Sequence, residues 1–301
     1  MLKYLTEGGA GMDKKRNPHT FSRKIGHWLW RLPAPKWLYP LYLPRQLYLK
    51  EYEVAASSVP PALSGLKIAY ASDMHYGSYL DESRVIALAE KLNALDADII
   101  LLGGDYGDTN EKSLEFWQLI PALHARLAVC AVMGNHDLKE GPAQQLLKAM
   151  RRRGAVPLAN SALRLTYNGV HFAVCATDDL YLGYPDFEKT ARQAQGQAYV
   201  IYAPHSPDAL KPAYALSQKP FFDLAICGHT HGGQVALFGM GLATSSRLGF
   251  RYGNRYRTGH IREHGVDVIV SNGVGTTWLP LRWGVEPQYH LITLKHTEKE
   301  P

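Results

Sequence analysis

The chain predicts an α/β fold of two packed, mixed β-sheets flanked by helices. In the first half, apolar runs alternate with stretches of helical period; an Asn-Gly hairpin then breaks the alternation, and four more apolar runs follow it. Alternating strands and helices imply βαβ units and parallel pairing, because parallel neighbours need a long crossover. The later runs supply a second sheet.

In chain order, "LKIAYASD" (66–73) reads as a buried strand, and Val85, Leu88, Leu92 and Leu95 repeat at helical spacing behind it. "DIILLGGD" (98–105) is the second strand, a helical stretch lies around 114–123, and "LAVCAVMGN" (127–135) is the third strand. "ALRLTYNGVHFAVCATDD" (162–179) is a hairpin turning at Asn168-Gly169, a pair that accepts the positive φ of a tight turn. "AYVIYAPH" (198–205), "FDLAICGH" (222–229), "VDVIVSNG" (266–273) and "YHLITL" (289–294) complete the strands. "SSVPPALSG" (57–65) reads as a linker. Two regions are expected, a basic aromatic extension over 1–50 and one catalytic domain over 51–301.

With 301 residues, 46% apolar and 20% charged, the chain can bury a sizeable core and is not a disordered polymer. Its net charge of +6 is unevenly placed: residues 1–50 carry +8 and residues 51–301 carry −2. That balance argues against an extended nucleic-acid groove, and no nucleic-acid partner is expected. Cys130, Cys175 and Cys227 each sit in an apolar run, as buried thiols do. No run reaches the ~18 apolar residues of a membrane span, and the first residues lack a signal-peptide core, so a cytoplasmic location is expected.

Several strands end in metal-ligating residue types. "SDMH" holds Asp73 and His75, "GGDYGD" holds Asp105 and Asp108, and "GNHD" holds Asn135, His136 and Asp137; His205 follows in "APHSPD", and His229 and His231 in "CGHTHGGQ". The carboxyl ends of strands in an open α/β sheet are where ligands bind, so these residues can converge. In an extended chain, His229 and His231 would aim at one spot. Carboxylate, imidazole and amide oxygen suit Mn²⁺, Fe or Zn²⁺ without any thiolate. Gly104, Gly134 and Gly228 allow close backbone approach beside them.

These five blocks, in this order, resemble the calcineurin-like metallophosphoesterase superfamily, whose signature runs D-x-H, G-D-x-x-D, G-N-H-[DE], a lone H, and G-H-x-H. The resemblance covers about residues 50–295 and is nearest to the bacterial YaeI- and YkuE-like branch of phosphodiesterases. It implies two divalent metal ions, Mn²⁺ first with Fe or Zn²⁺ as alternatives. Asp73, His75 and His231 would hold one, Asn135, His205 and His229 the other, and Asp105 would bridge them. It implies hydrolysis of a phosphodiester or pyrophosphate by a hydroxide between the metals, with His136 assisting the leaving group and Asp137 orienting that imidazole. Asp108 would sit behind the ligands, although a plain helix N-cap is an alternative for it.

Arg247, Arg251, Arg255 and Arg257, in a Gly- and Tyr-rich segment, together with Arg282, are candidates for phosphate recognition at the substrate rim; a solvated loop or hairpin is the competing reading. Residues 13–50 combine nine Lys/Arg with Trp28, Trp30 and Trp37, which suits peripheral contact with an anionic membrane or packing on protein. A lipid-linked phosphoester such as UDP-2,3-diacylglucosamine is therefore an alternative substrate. A catalytically silent metal-binding scaffold is the alternative of another class.

Overall fold

The computed structural model describes residues 46–298, apart from 78, 238–239, 242–254 and 278–280. Most of the expected N-terminal extension, and Arg247 and Arg251, lie outside the described residues.

Two six-stranded mixed sheets form the molecule. In the first, β2 (Lys67–Ala71), β3 (Ile99–Leu102), β4 (Ala128–Val132) and β5 (Val156–Leu158) are parallel neighbours. On their other side β14 (Gln288–His296) runs antiparallel to β2 and parallel to β1 (Tyr48–Ala56). In the second sheet β7 (Val170–Ala176), β8 (Val200–Tyr202), β9 (Leu224–Cys227) and β13 (Val266–Val270) are parallel. Antiparallel β6 (Ser161–Tyr167) and β12 (Gly259–Glu263) close its two edges. Two short strands, β10 (Ala236–Leu237) and β11 (Met240–Gly241), pair by themselves.

The period-two alternation of each strand sorts its side chains into layers. Ile68, Tyr70, Ile99, Leu101, Cys130 and Val132 meet Phe172, Val174, Ile201, Leu224, Ile226 and Ile269 between the sheets. The opposite faces of the first sheet, through Ala69, Ile100 and Leu102, pack on α1 (Glu82–Asn93), α2 (Asn110–Leu119) and α3 (Ala143–Arg152). The helix-facing side of the second sheet, including Cys175, Val200 and Cys227, packs on α4 (Phe187–Ala194) and α5 (Leu210–Tyr214). Strands buried on both faces explain the continuous apolar runs of the sequence. Each fully buried aliphatic side chain contributes about 1.5–3 kcal/mol. All three cysteines are free and buried.

Five strands were not anticipated, among them β10 and β11, which are two residues each. β1 straddles the expected boundary at residue 50, and its charged, largely exposed face hides it among polar sequence. β5 is three residues long, too short for a periodic signal. β12 forms a hairpin with β13 through His264-Gly265, both at positive φ, so the end of the arginine-rich segment is strand rather than open loop.

Candidate metal centre

Every expected ligand lies just beyond the carboxyl end of a parallel strand. Asp73 and His75 follow β2, Asp105 follows β3, and Asn135 follows β4; from the other sheet, His205 follows β8, and His229 and His231 follow β9. The chain must turn sharply there. Asp73, His75, Asp105, His229 and His231 all adopt left-handed backbone, with φ between 49° and 69°. Such positions cost about 1–3 kcal/mol each and persist only where surrounding contacts fix them.

Those contacts are identifiable. The ladder continues past the strands, with Asp73 N–H donating to Gly104 O at 2.9 Å and Gly228 N–H to His205 O at 2.8 Å. The His229 N–H crosses between sheets to both oxygens of Asp73 at 3.0 Å. A Cβ on Gly134 would collide with Asp105 Oδ1 and His205 Cε1, and one on Gly228 with Asp73 Oδ2, so both positions require glycine for close approach.

The side chains converge into three overlapping groups whose ligand atoms lie within 4.8 Å of one another: Asp73, His75 and His231; His75, Asp105 and His136; and Asp105, His205 and His229. Asp105 Oδ2 stands 3.6 Å from His75 Nε2 and 3.4 Å from His205 Nε2, between the first and third groups. His75 Nε2 is 3.1 Å from His231 Nε2, and His231 Nε2 is 3.7 Å from Asp73 Oδ1. His205 Nε2 is 3.2 Å from His229 Nδ1. The two histidines of His-x-His therefore do not share one spot. Left-handed backbone at both sends His229 towards His205 and His231 towards His75.

This arrangement fits cations. For ligands about 2.1 Å from a shared ion, neighbours at right angles are about 3.0 Å apart and tetrahedral neighbours about 3.4 Å, and the separations here, 3.1 to 3.7 Å, are at or slightly above those values. Asn135 Oδ1 is buried with no hydrogen-bond partner, as an oxygen kept for an ion would be. Burial pushes the Asp105 carboxyl up, but His205, His136 and His75 outweigh it and hold the group well below the usual carboxylate range. Burial, then the charge of His205, drives His229 down to about 3, so it offers a neutral imidazole.

Asp108 Oδ1 lies 3.3 Å from His75 Nδ1, behind the ligands. The cap of α2 is Thr109, not Asp108. Asp137 differs from expectation: its carboxylate accepts from the N–H groups of Asp105, Tyr106 and Gly134 and from Ser113 Oγ, and does not orient the His136 ring. It ties the loop after β3 to the loop after β4. Burial, then neighbouring Asp105, pushes its carboxyl up to about 7. The His136 ring is instead held by Asp108 O, 3.0 Å from Nδ1.

Among the arginines, Arg257 is half-buried and donates to Gly232 O at 2.5 Å, beside His231. Arg255 faces solvent near Glu263 at 3.8 Å. Arg282 is 3% exposed, and its guanidinium donates to the carbonyls of Asn272, Gly273 and Gly275 in the loop after β13 and to His231 O at 3.4 Å, so it braces the two loops against each other instead of standing on an open rim. A cavity of about 570 Å³ adjoins this loop, lined by Tyr48, Arg257, Asn272, Arg282, Trp283 and Gln288. Sequence reasoning missed Tyr181, whose ring stacks on His229 at 4.9 Å, and Asp179 in the same turn. Their position just past a strand end was the available signal.

A two-sheet sandwich with carboxylates, imidazoles and an amide gathered at its strand ends defines a class. Residues 66–233 match the calcineurin-like phosphoesterase family; the chain belongs to it and is a metal-dependent phosphoesterase. An uncharacterized metallophosphoesterase of Aquifex aeolicus is 31% identical over 253 residues, 83% of this chain and 92% of that protein. The uncharacterized metallophosphoesterase YkuE of Bacillus subtilis is 29% identical over 267 residues, 86% and 90% of the two chains. Among solved structures, the phosphopantetheinyl hydrolase PptH of Mycobacterium tuberculosis is similar with a TM-score of 0.40 at 14% identity, covering 70% of this chain and 91% of that one.

Proposed function

We propose that this phosphoesterase cleaves a phosphodiester or pyrophosphate at a two-cation centre, with Mn²⁺ as the working ion. Asp73, His75 and His231 hold one cation, Asn135, His205 and His229 the other, and Asp105 serves both. The observation carrying this reading is the position of Asp105 Oδ2, within 3.6 Å of imidazoles from both sheets. When bound, two divalent cations neutralise phosphoryl charge and acidify water enough for hydrolysis near neutral pH. The chain supplies the rest.

His136 is edge-on to His75 with ring centroids 4.7 Å apart. A carbonyl can only accept, so the contact with Asp108 O assigns the proton to His136 Nδ1. Nε2 is then the atom that, in the imidazolium, hands a proton to the departing alkoxide. The neighbouring cavity takes the group attached to the phosphate. Among the described residues, Arg257 at its wall is a cation placed to meet phosphate: Arg257→Ala is expected to raise KM about 10- to 100-fold with little change in kcat, the worth of a charge-assisted contact. Arg255→Ala is expected to change neither. Equal KM for the two variants would return Arg257 to a purely structural part in its hairpin.

A lipid-linked pyrophosphate of the UDP-2,3-diacylglucosamine type is the finer reading. It is favoured by the basic aromatic segment over 13–50, whose Tyr48 lines the cavity. No helix among the described residues is long and apolar enough to cross a membrane; the contact proposed through residues 13–50 is peripheral, at the inner face of the membrane. The test is turnover of Mn²⁺-loaded protein on mono-, di- and pyrophosphate esters, including a nucleotide–lipid conjugate, with sedimentation on anionic vesicles at low and high salt. Diester or pyrophosphate cleavage exceeding monoester cleavage is expected; preference for monoesters overturns the substrate class. Vesicle binding absent at low salt overturns the membrane reading alone.

A further inference from the structure

Parallel neighbours β7, β8 and β9 end side by side, and the residues beyond their carboxyl ends follow one rule. His229 is two residues past β9 and His205 three past β8; three past β7 stands Asp179. Asp179 is 2% exposed. Its Oδ2 accepts the N–H groups of Tyr181 at 2.8 Å and Leu182 at 2.7 Å, which fixes the turn that stacks Tyr181 on His229. Its Oδ1 is buried and has no hydrogen-bond partner. A turn needs one oxygen; a buried carboxylate oxygen left over is costly unless something positive faces it.

Charge indicates what that is. Resting on the two-cation reading above, one side of the centre has Asp73 and shares Asp105, whereas the side of Asn135, His205 and His229 has only the shared carboxylate. Two imidazoles and an amide bring no charge to offset a dication. Asp179 reaches this side through its turn, whose Tyr181 ring lies stacked on His229 with centroids 4.9 Å apart.

We propose that Asp179 is a positioning residue for the cation held by Asn135, His205 and His229, supplying the second negative charge on that side and fixing His229 through Tyr181. It lies outside the group whose ligand atoms are within 4.8 Å of one another, so it acts around the ligands and not as one of them. Groups in this position typically tune metal affinity 10- to 100-fold.

The test is calorimetric titration of metal-free full-length protein with Mn²⁺, comparing wild type with Asp179→Asn. The amide keeps an oxygen for the Tyr181 and Leu182 N–H groups and removes the charge. Two binding steps are expected in the wild type, with one step weakened 10- to 100-fold in the variant and the other unchanged. Both steps unchanged, or both weakened alike, overturns the proposal and leaves Asp179 a turn former. A wild type that binds fewer than two ions overturns the two-cation reading and this proposal with it, a different signature. Should Asp179→Asn fail to fold, Asp179→Ser, whose hydroxyl can cap the same turn, carries the same comparison.

Discussion

Asp105→Ala is expected to abolish phosphoester hydrolysis and to release at least one bound cation. The carboxylate is 2% exposed and lies between His75 and His205, so its removal leaves two sheets' imidazoles with no shared anion. Two dications about 3.5–4 Å apart repel strongly without one. Asp105 Oδ1 also accepts the His136 N–H at 2.8 Å, so the loop carrying His136 loses its tether as well. Asp105→Asn restores that tether but not the charge, and is expected to be equally inactive. Metal analysis decides the matter: two equivalents retained in both variants means that Asp105 does not bridge.

His136→Asn is expected to retain both cations and lose about 10²- to 10⁴-fold in kcat, the usual worth of general acid assistance. At about 1.36 kcal/mol per tenfold, that is roughly 3–5 kcal/mol of transition-state stabilisation. Asparagine can still donate towards Asp108 O, so the loop keeps its anchor and the loss isolates the proton on Nε2. A substrate with a leaving group too acidic to need protonation should recover most of the rate. Unimpaired kcat on an alkyl ester would remove His136 from the mechanism.

Much of the candidate site was legible because its chemistry is local: a candidate ligand two to four residues past a strand end sits beside an apolar run that announces the strand. Parallel strands buried on both faces read clearly for the same reason. What was hidden depends on partners distant in sequence. β1 reads as polar because only its pairing with β14 gives it a role. The side chain of Arg282 reaches back under His231 across 51 positions of chain, and nothing near residue 282 encodes that destination. Asp137 stands next to His136 in sequence but points to the backbone of Asp105 and Tyr106, a direction set by loop packing. The His-x-His spacing suggested extended chain, and left-handed φ at both residues reversed the geometry.

Asp73 and His75 are borne by one sheet and His231 by the other; Asp105 comes from the first and His205 and His229 from the second. Each prospective ion would thus be a rivet through both leaves of the sandwich, set at one end of the seam. Prising the leaves apart from that end would mean drawing the rivets first, which would make the unliganded protein the more easily opened form and couple resistance to proteolysis to the supply of metal.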